Sequence, residues 1–225
     1  MDINMLKNKV YLRTTQNLQT MKKFMLLLFV LLPGMVWALE NGKGQPVPKM
    51  NFYGVDFTLV KTFGVKEEPG KVAKAFEEIN KLIVTETKKY QYGNFFAKYV
   101  REIDQSAELK KMQFTVFDNV NIDEAIYRAR IMNEAGMPTY NKAFKIDDDA
   151  LVSLIKSFNT GKDTGYGVVY VAELLNKEDG IGNFIAVCFN VKTKKIVFAD
   201  RVSAKAGGFG LRNYWASPLE KFFKL

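Results

Sequence analysis

Histidine is absent from these 225 residues, and cysteine occurs once. The first absence removes serine–histidine catalysis and most zinc chemistry together. The second removes any disulfide scaffold. Only six prolines occur, which excludes a collagenous or proline-rich low-complexity chain. The patterns GxSxG, HExxH, CxxC and GxxxxGKS/T are also missing, so no catalytic elbow, zincin helix, redox pair or phosphate loop is written in the chain. No cofactor and no metal is expected. What remains is 48% hydrophobic and 25% charged, the balance of an ordinary globular protein.

One apolar run stands out. Lys22-Lys23 leads into residues 24–32 (FMLLLFVLL), Pro33-Gly34 interrupts the run, and Val36-Trp37-Ala38 follows with a small residue on each side of the tryptophan. This is the order of a secretory signal. A membrane span needs about 20 apolar residues, and this run is too short and is broken. Cleavage is expected after Ala38, leaving a periplasmic or extracellular, soluble protein. Residues 1–20 precede a complete signal and read as a mis-assigned start. The remaining residues 39–225 carry +5 rather than +9, because the removed segment holds five basic residues and one acid. Glu and Lys alternate along the helices instead of gathering the charge on one face, so nucleic acid is not an expected partner.

After a flexible lead at residues 39–50, a single α+β domain is expected over residues 51–225, long enough for one good core. Residues 51–63 (NFYGVDFTLVKTF) alternate as a strand, with Tyr53, Val55, Phe57 and Leu59 on one side and Asp56 on the other. Asp56 is either a buried functional acid or a hydrogen-bonded strand aspartate. Pro69 opens a helix expected to run to about Tyr90, with Val72, Phe76, Ile79, Leu82 and Ile83 as its apolar stripe and Glu77–Lys81 as an i,i+4 pair. A second helix is expected at residues 94–103 and a strand at 112–120. Residues 121–136 have helical composition. Asp147-Asp148-Asp149 could suggest a metal site, but reads better as an N-cap followed by two acids in the first turn of a helix to Phe158.

The last third organises the chain. GYGVVYVAELL from Gly165, NFIAVCFNV from Asn183 and KIVFADRVSAKA from Lys195 are β-branched and aromatic, separated by polar turns. They read as a three-strand meander. The first strand is apolar at both parities and so central. In the third, Ile196, Phe198, Val202 and Ala204 face in, while Arg201, Ser203 and Lys205 face water. Cys188 lies between Val187 and Phe189, an apolar setting that suits an inert thiol. Gly207-Gly208-Phe209-Gly210 makes a turn into a short terminal helix, for which Ser217-Pro218-Leu219-Glu220 matches a capping box. The fold expected is α+β, a mainly antiparallel sheet with its helices packed on one face.

The segments FYGVDF, GYGVVYVAELLNK, FNVKTKKIVFADRVSAKAGGFG and RNYWASPLEKFFK together resemble a family of uncharacterised exported proteins of Bacteroidetes, over most of residues 51–225. AGGFGLRNYW is the most specific part. The resemblance implies an exported single domain and no activity. At the level of fold the chain is also similar to envelope domains of the TolB N-terminal and curli-secretion lipoprotein type, where an opening strand and helix pack with a late antiparallel meander. That implies a role in envelope assembly.

The function expected is that of an exported, non-enzymatic protein binding a protein or envelope component. Its candidate surface is Arg212, Asn213, Tyr214 and Trp215, residue types enriched at binding hot spots. The alternative for these four residues is that the aromatics plug the end of the sheet. The alternative function is a cryptic hydrolase using carboxylates or a Ser203/Lys205 pair. The cleavage expectation has a direct check: N-terminal mass spectrometry of the protein from its native host should find Leu39 first. Met21 or Met1 at that position would refute it.

Overall fold

In the computed structural model, which describes residues 49–93 and 117–224, the strands belong to one mixed sheet. Along the chain come β1 (Met50–Asp56), β2 (Lys61–Phe63), α1 (Pro69–Thr85), β3 (Asn119–Val120), α2 (Asp123–Ile131) and a 3-10 turn (Glu134–Gly136). Then follow α3 (Asp148–Ser157), β4 (Tyr166–Asn176), β5 (Ile181–Asn190), β6 (Ile196–Lys205) and α4 (Leu211–Phe223). The sheet order is β3-β1-β4-β5-β6, with β2 also paired to β4. The expected helix at residues 94–103 and most of the expected strand at 112–120 lie outside the described residues, as does the signal segment.

The α+β class and the C-terminal meander are present, since β4–β5 and β5–β6 are both antiparallel. The other half of the sheet is not antiparallel. β1 runs parallel to β3 and β4, and β2 runs parallel to β4. Parallel neighbours need long crossovers, and the stretches between β1 and β3 and between β3 and β4, which carry α1, α2 and α3, are those crossovers. Parallel strands are buried on both faces. The helices accordingly do not share one face. Val72, Phe76, Ile79 and Ile83 of α1 and Trp215, Leu219, Phe222 and Phe223 of α4 pack with Phe52, Tyr170 and Phe184. Leu151, Leu154 and Ile155 of α3 pack on the opposite face with Tyr53, Val169, Ile185 and Val187.

β4 is central, as its double apolar parity predicts, and all but its first residue are buried. β6 has the expected wet face, with Val197, Arg201, Ser203 and Lys205 exposed. Ile196 departs from the expected alternation. It joins the α3 side while Phe198 and Val202 join the α1 side, because the register slips between Cys188 and Phe189 of β5.

The opening strand is shorter than its periodicity suggests, and its alternation breaks at Gly54. Phe52 and Val55 face one core and Tyr53 the other, with a register shift between Phe52 and Val55. Gly54 sits at φ +80°, and a Cβ there would lie 2.4 Å from Oδ1 of Asn80. Only glycine fits such a position. The Asn80 amide replaces the ladder bonds that the irregularity loses. Val55 N–H donates to its Oδ1 at 2.7 Å, and its Nδ2 donates to Val55 C=O at 2.9 Å. Asp56 then ends the strand by accepting from Thr58 N–H at 2.7 Å, and the chain turns before β2.

α1 stops at Thr85 rather than Tyr90, where Thr85 Oγ1 donates to the Lys81 and Leu82 carbonyls. α3 is capped as its aspartates indicate, with Ala150 N–H donating to Asp147 Oδ1 at 2.7 Å and Asp148 and Asp149 in the first turn. α4 begins seven residues before the expected capping box. Its N-cap is Gly210 at φ +79°, and Pro218 is inside the helix. An interior proline deprives the carbonyl four residues back of its partner. That carbonyl, on Tyr214, is instead met by Ser217 Oγ at 3.2 Å and Gly207 N–H at 3.4 Å. Ser217 therefore repairs the helix instead of capping it. The Pro218 ring sits over Gly182 of β5, where a Cβ would come within 2.9 Å of it.

Replacing Asn80 by alanine leaves Val55 N–H and C=O unpaired in the core. At about 1–3 kcal/mol for each orphaned group, Asn80→Ala should cost roughly 2–6 kcal/mol. A denaturant midpoint unchanged at equal slope would remove Asn80 from this role.

Candidate functional site

The four residues nominated from sequence open α4 and divide by burial. Trp215 is 0% exposed and belongs to the core. Tyr214 is half-buried, edge-on to the Trp215 ring, with Lys177 Nζ 3.5 Å from its centroid. Asn213 is half-buried and Arg212 exposed, its Nε donating to Asn213 Oδ1 at 3.1 Å. Trp215 thus acts as the sheet-end plug, while Arg212 and Asn213 are presented to solvent.

What they adjoin was not visible in sequence. Residues 209–213 and the side chains of Lys71, Lys74 and Glu78 on α1 line an open groove of about 440 Å³. Phe209 stands over it, 95% exposed. Gly208 at φ +106° and Gly210 at φ +79° set the turn that projects it. Among the described residues, Lys71, Lys74 and Arg212 join no ion pair. From sequence, Arg212 and Asn213 of the nominated cluster pointed to this groove, while Lys71, Lys74 and Phe209 were not nominated.

Among the described residues, the two buried acids are committed to the fold. Asp56 is fully buried, and Arg128 Nε donates to its Oδ2 at 2.7 Å. Arg128 also reaches Ser157 Oγ at 3.2 Å and Glu124 at 3.6 Å, tying α2 to α3. Glu173, in the middle of β4, accepts from Ile146 N–H at 2.9 Å and Arg201 Nε at 3.0 Å. Each of these acids is matched by a guanidinium and a backbone amide, which is how a buried carboxylate is tolerated. Arg130 makes a bidentate contact to Glu77 at 2.8 and 2.7 Å and joins it to the expected Lys81 pair. These two cations, Arg130 foremost, hold the Glu77 carboxyl down at about 2.

The Ser203 hydroxyl donates to Asn183 Oδ1 at 2.7 Å on the open face of β6, and Lys205 offers its backbone carbonyl to Lys221. A smaller hollow of about 240 Å³ lies beyond the carboxyl end of β1, between Thr58, Lys61, Phe144 and Asp147. Lys61 Nζ closes one side of it by donating to the Gly136 carbonyl.

Cys188 is buried, and burial pushes its thiol up to about 12. In the folded protein it should resist a thiol reagent at pH 8 and react promptly in denaturant, where its ordinary value returns. Because the folded value is the higher one, the stability this thiol contributes is complete below the unfolded value near 9. It is lost progressively as pH rises toward 12. Fast modification of the native protein at pH 8 would show the site to be open.

No helix among the described residues is long and apolar enough to cross a membrane. Compared with protein-family models and with curated proteins, the sequence finds no match.

Proposed function

We propose that the chain is an exported, non-enzymatic protein that binds a protein or envelope component through the groove between α1 and the start of α4. The observation that carries this reading is the contrast in how the chain treats its charges and aromatics. Inside, Asp56 and Glu173 are neutralised by Arg128 and Arg201. At the groove, Lys71, Lys74 and Arg212 are left without acidic partners beside a Phe209 that is 95% exposed. A nearly bare phenylalanine flanked by free cations gains nothing for folding, and it suits a partner that is apolar at one point and acidic around it. Arg212 and Asn213 of the sequence-nominated cluster belong to this surface; Tyr214 and Trp215 hold it from beneath.

Two further features agree with export and the envelope. Lys22-Lys23, the apolar run and Val36-Trp37-Ala38 form a signal pattern. The opening strand, the helix after it and the late antiparallel meander are the elements that envelope domains of the TolB N-terminal type share. The hydrolase alternative draws no support from the pair nominated for it, because Ser203 is hydrogen-bonded to Asn183.

The test is retention. Immobilised full-length chain should hold a defined set of components from a solubilised envelope fraction of its native host, and Phe209→Ala with Arg212→Glu should lose that set. Both residues are exposed, so the denaturant midpoint should stay within about 0.5 kcal/mol of the parent. Identical retention by parent and double variant would refute the groove as the binding surface.

A further inference from the structure

We infer that the component met at this groove is an anionic lipid surface, into which Phe209 inserts while Lys71, Lys74 and Arg212 lie against the headgroup phosphates. The inference rests on the binding reading above and names its partner class. A peptide groove hides its aromatic anchor in a concave, desolvated pocket. Here the aromatic lies at the rim of an open groove, 95% exposed, on a turn set by Gly208 and Gly210. An exposed ring with no enclosure of its own suits a bilayer interface, which is soft and accepts it at the boundary of headgroup and acyl chain.

The cations are placed for the same surface. Lys71 and Lys74 lie one turn apart on α1, both exposed, and Arg212 follows Phe209 by three residues at the opening of α4. Their long stems allow the charges to stay at headgroup level while the ring goes deeper. Glu78 lines the same groove and opposes them, so the net local charge is modest. Each Lys or Arg held at an anionic surface strengthens partitioning about five-fold. Three cations and one ring therefore give a weak, reversible and salt-sensitive attachment, since stable anchoring takes more than one such signal.

The experiment places an indole at the tip with Phe209→Trp in the chain from Leu39 onward, the form expected after cleavage, and reads its fluorescence by difference against the same chain without the substitution. Trp215 is common to both and cancels. Vesicles of equal parts phosphatidylglycerol and phosphatidylcholine, with brominated acyl chains as quencher, are compared with vesicles of phosphatidylcholine alone. The difference signal should shift to the blue and be quenched by the anionic vesicles, fade with added salt, and stay unchanged with the neutral ones. Adding Lys71→Gln and Lys74→Gln should weaken the effect roughly 25-fold, at about five-fold per charge. An indole that stays in water with anionic vesicles, or that is quenched equally by neutral ones, overturns the inference. If poly-L-glutamate alone shields the indole, the occupant is an acidic polypeptide; the lipid inference falls and the binding reading stands. If vesicles fail and the envelope fraction is also retained equally by parent and groove variant, both fall.

Discussion

The side-chain amide of Asn80 is the contact on which the rest of the sheet depends. β1 lies between β3 and β4, so its backbone must satisfy two parallel neighbours and lie beneath α1 as well. At Gly54 the ladder breaks, and a buried N–H and C=O are left without strand partners. Asn80, itself fully buried, supplies one acceptor and one donor to Val55. Because it sits mid-way along α1, the same two bonds fix how far that helix advances along the sheet. Phe57 stacked on Phe76 at 4.0 Å holds the next turn in the same register. Two residues on, Asp56 ends the strand beneath Arg128.

Charge is divided by depth. Toward the interior, the two buried acids pair with elements distant in sequence: Asp56 with Arg128 and Glu173 with Arg201. These pairs set orientation more than they add stability, because the cost of drying a charge offsets most of its attraction. At the start of α4 the arrangement reverses. Among the described residues, Lys71, Lys74 and Arg212 form no ion pair, Glu78 is the one acid lining their groove, and the neighbouring aromatic is bare. The turn that makes this possible is also structural, since Gly207 N–H returns to the Tyr214 carbonyl that Pro218 leaves free. The groove is therefore presented by the same device that allows a proline inside α4.

Several elements were legible in the chain because their causes are local. The α1 stripe, the Asp147 cap and the meander follow from side-chain spacing and from hydrogen bonds spanning three or four residues. Asp56 showed itself as a polar residue between apolar ones. Its partner lies 72 residues away, with nothing in sequence to single out Arg128 from the other basic residues. The capping box at Ser217 was a sound local signal that lost to tertiary packing. Starting α4 at Leu211 buries Trp215 and Ala216 on the sheet, and Gly210 turns the chain early enough to allow it.

Sequence alone determined the α1 stripe, the Asp147 cap, the apolar setting of Cys188 and that the last three strands form a meander. These follow from periodicity, which acts within a few residues. Tertiary structure decided the direction of pairing in the first half of the sheet and the splitting of helices between two faces. It also decided which aromatic of the terminal segment is buried. Five residues separate Phe209 from Trp215 and their chemistry is similar, yet one is 95% exposed and the other 0%. The difference arises because Trp215 lies on the face of α4 packed into the core with α1 and the sheet, while Phe209 lies in the glycine turn before the helix, at an open groove.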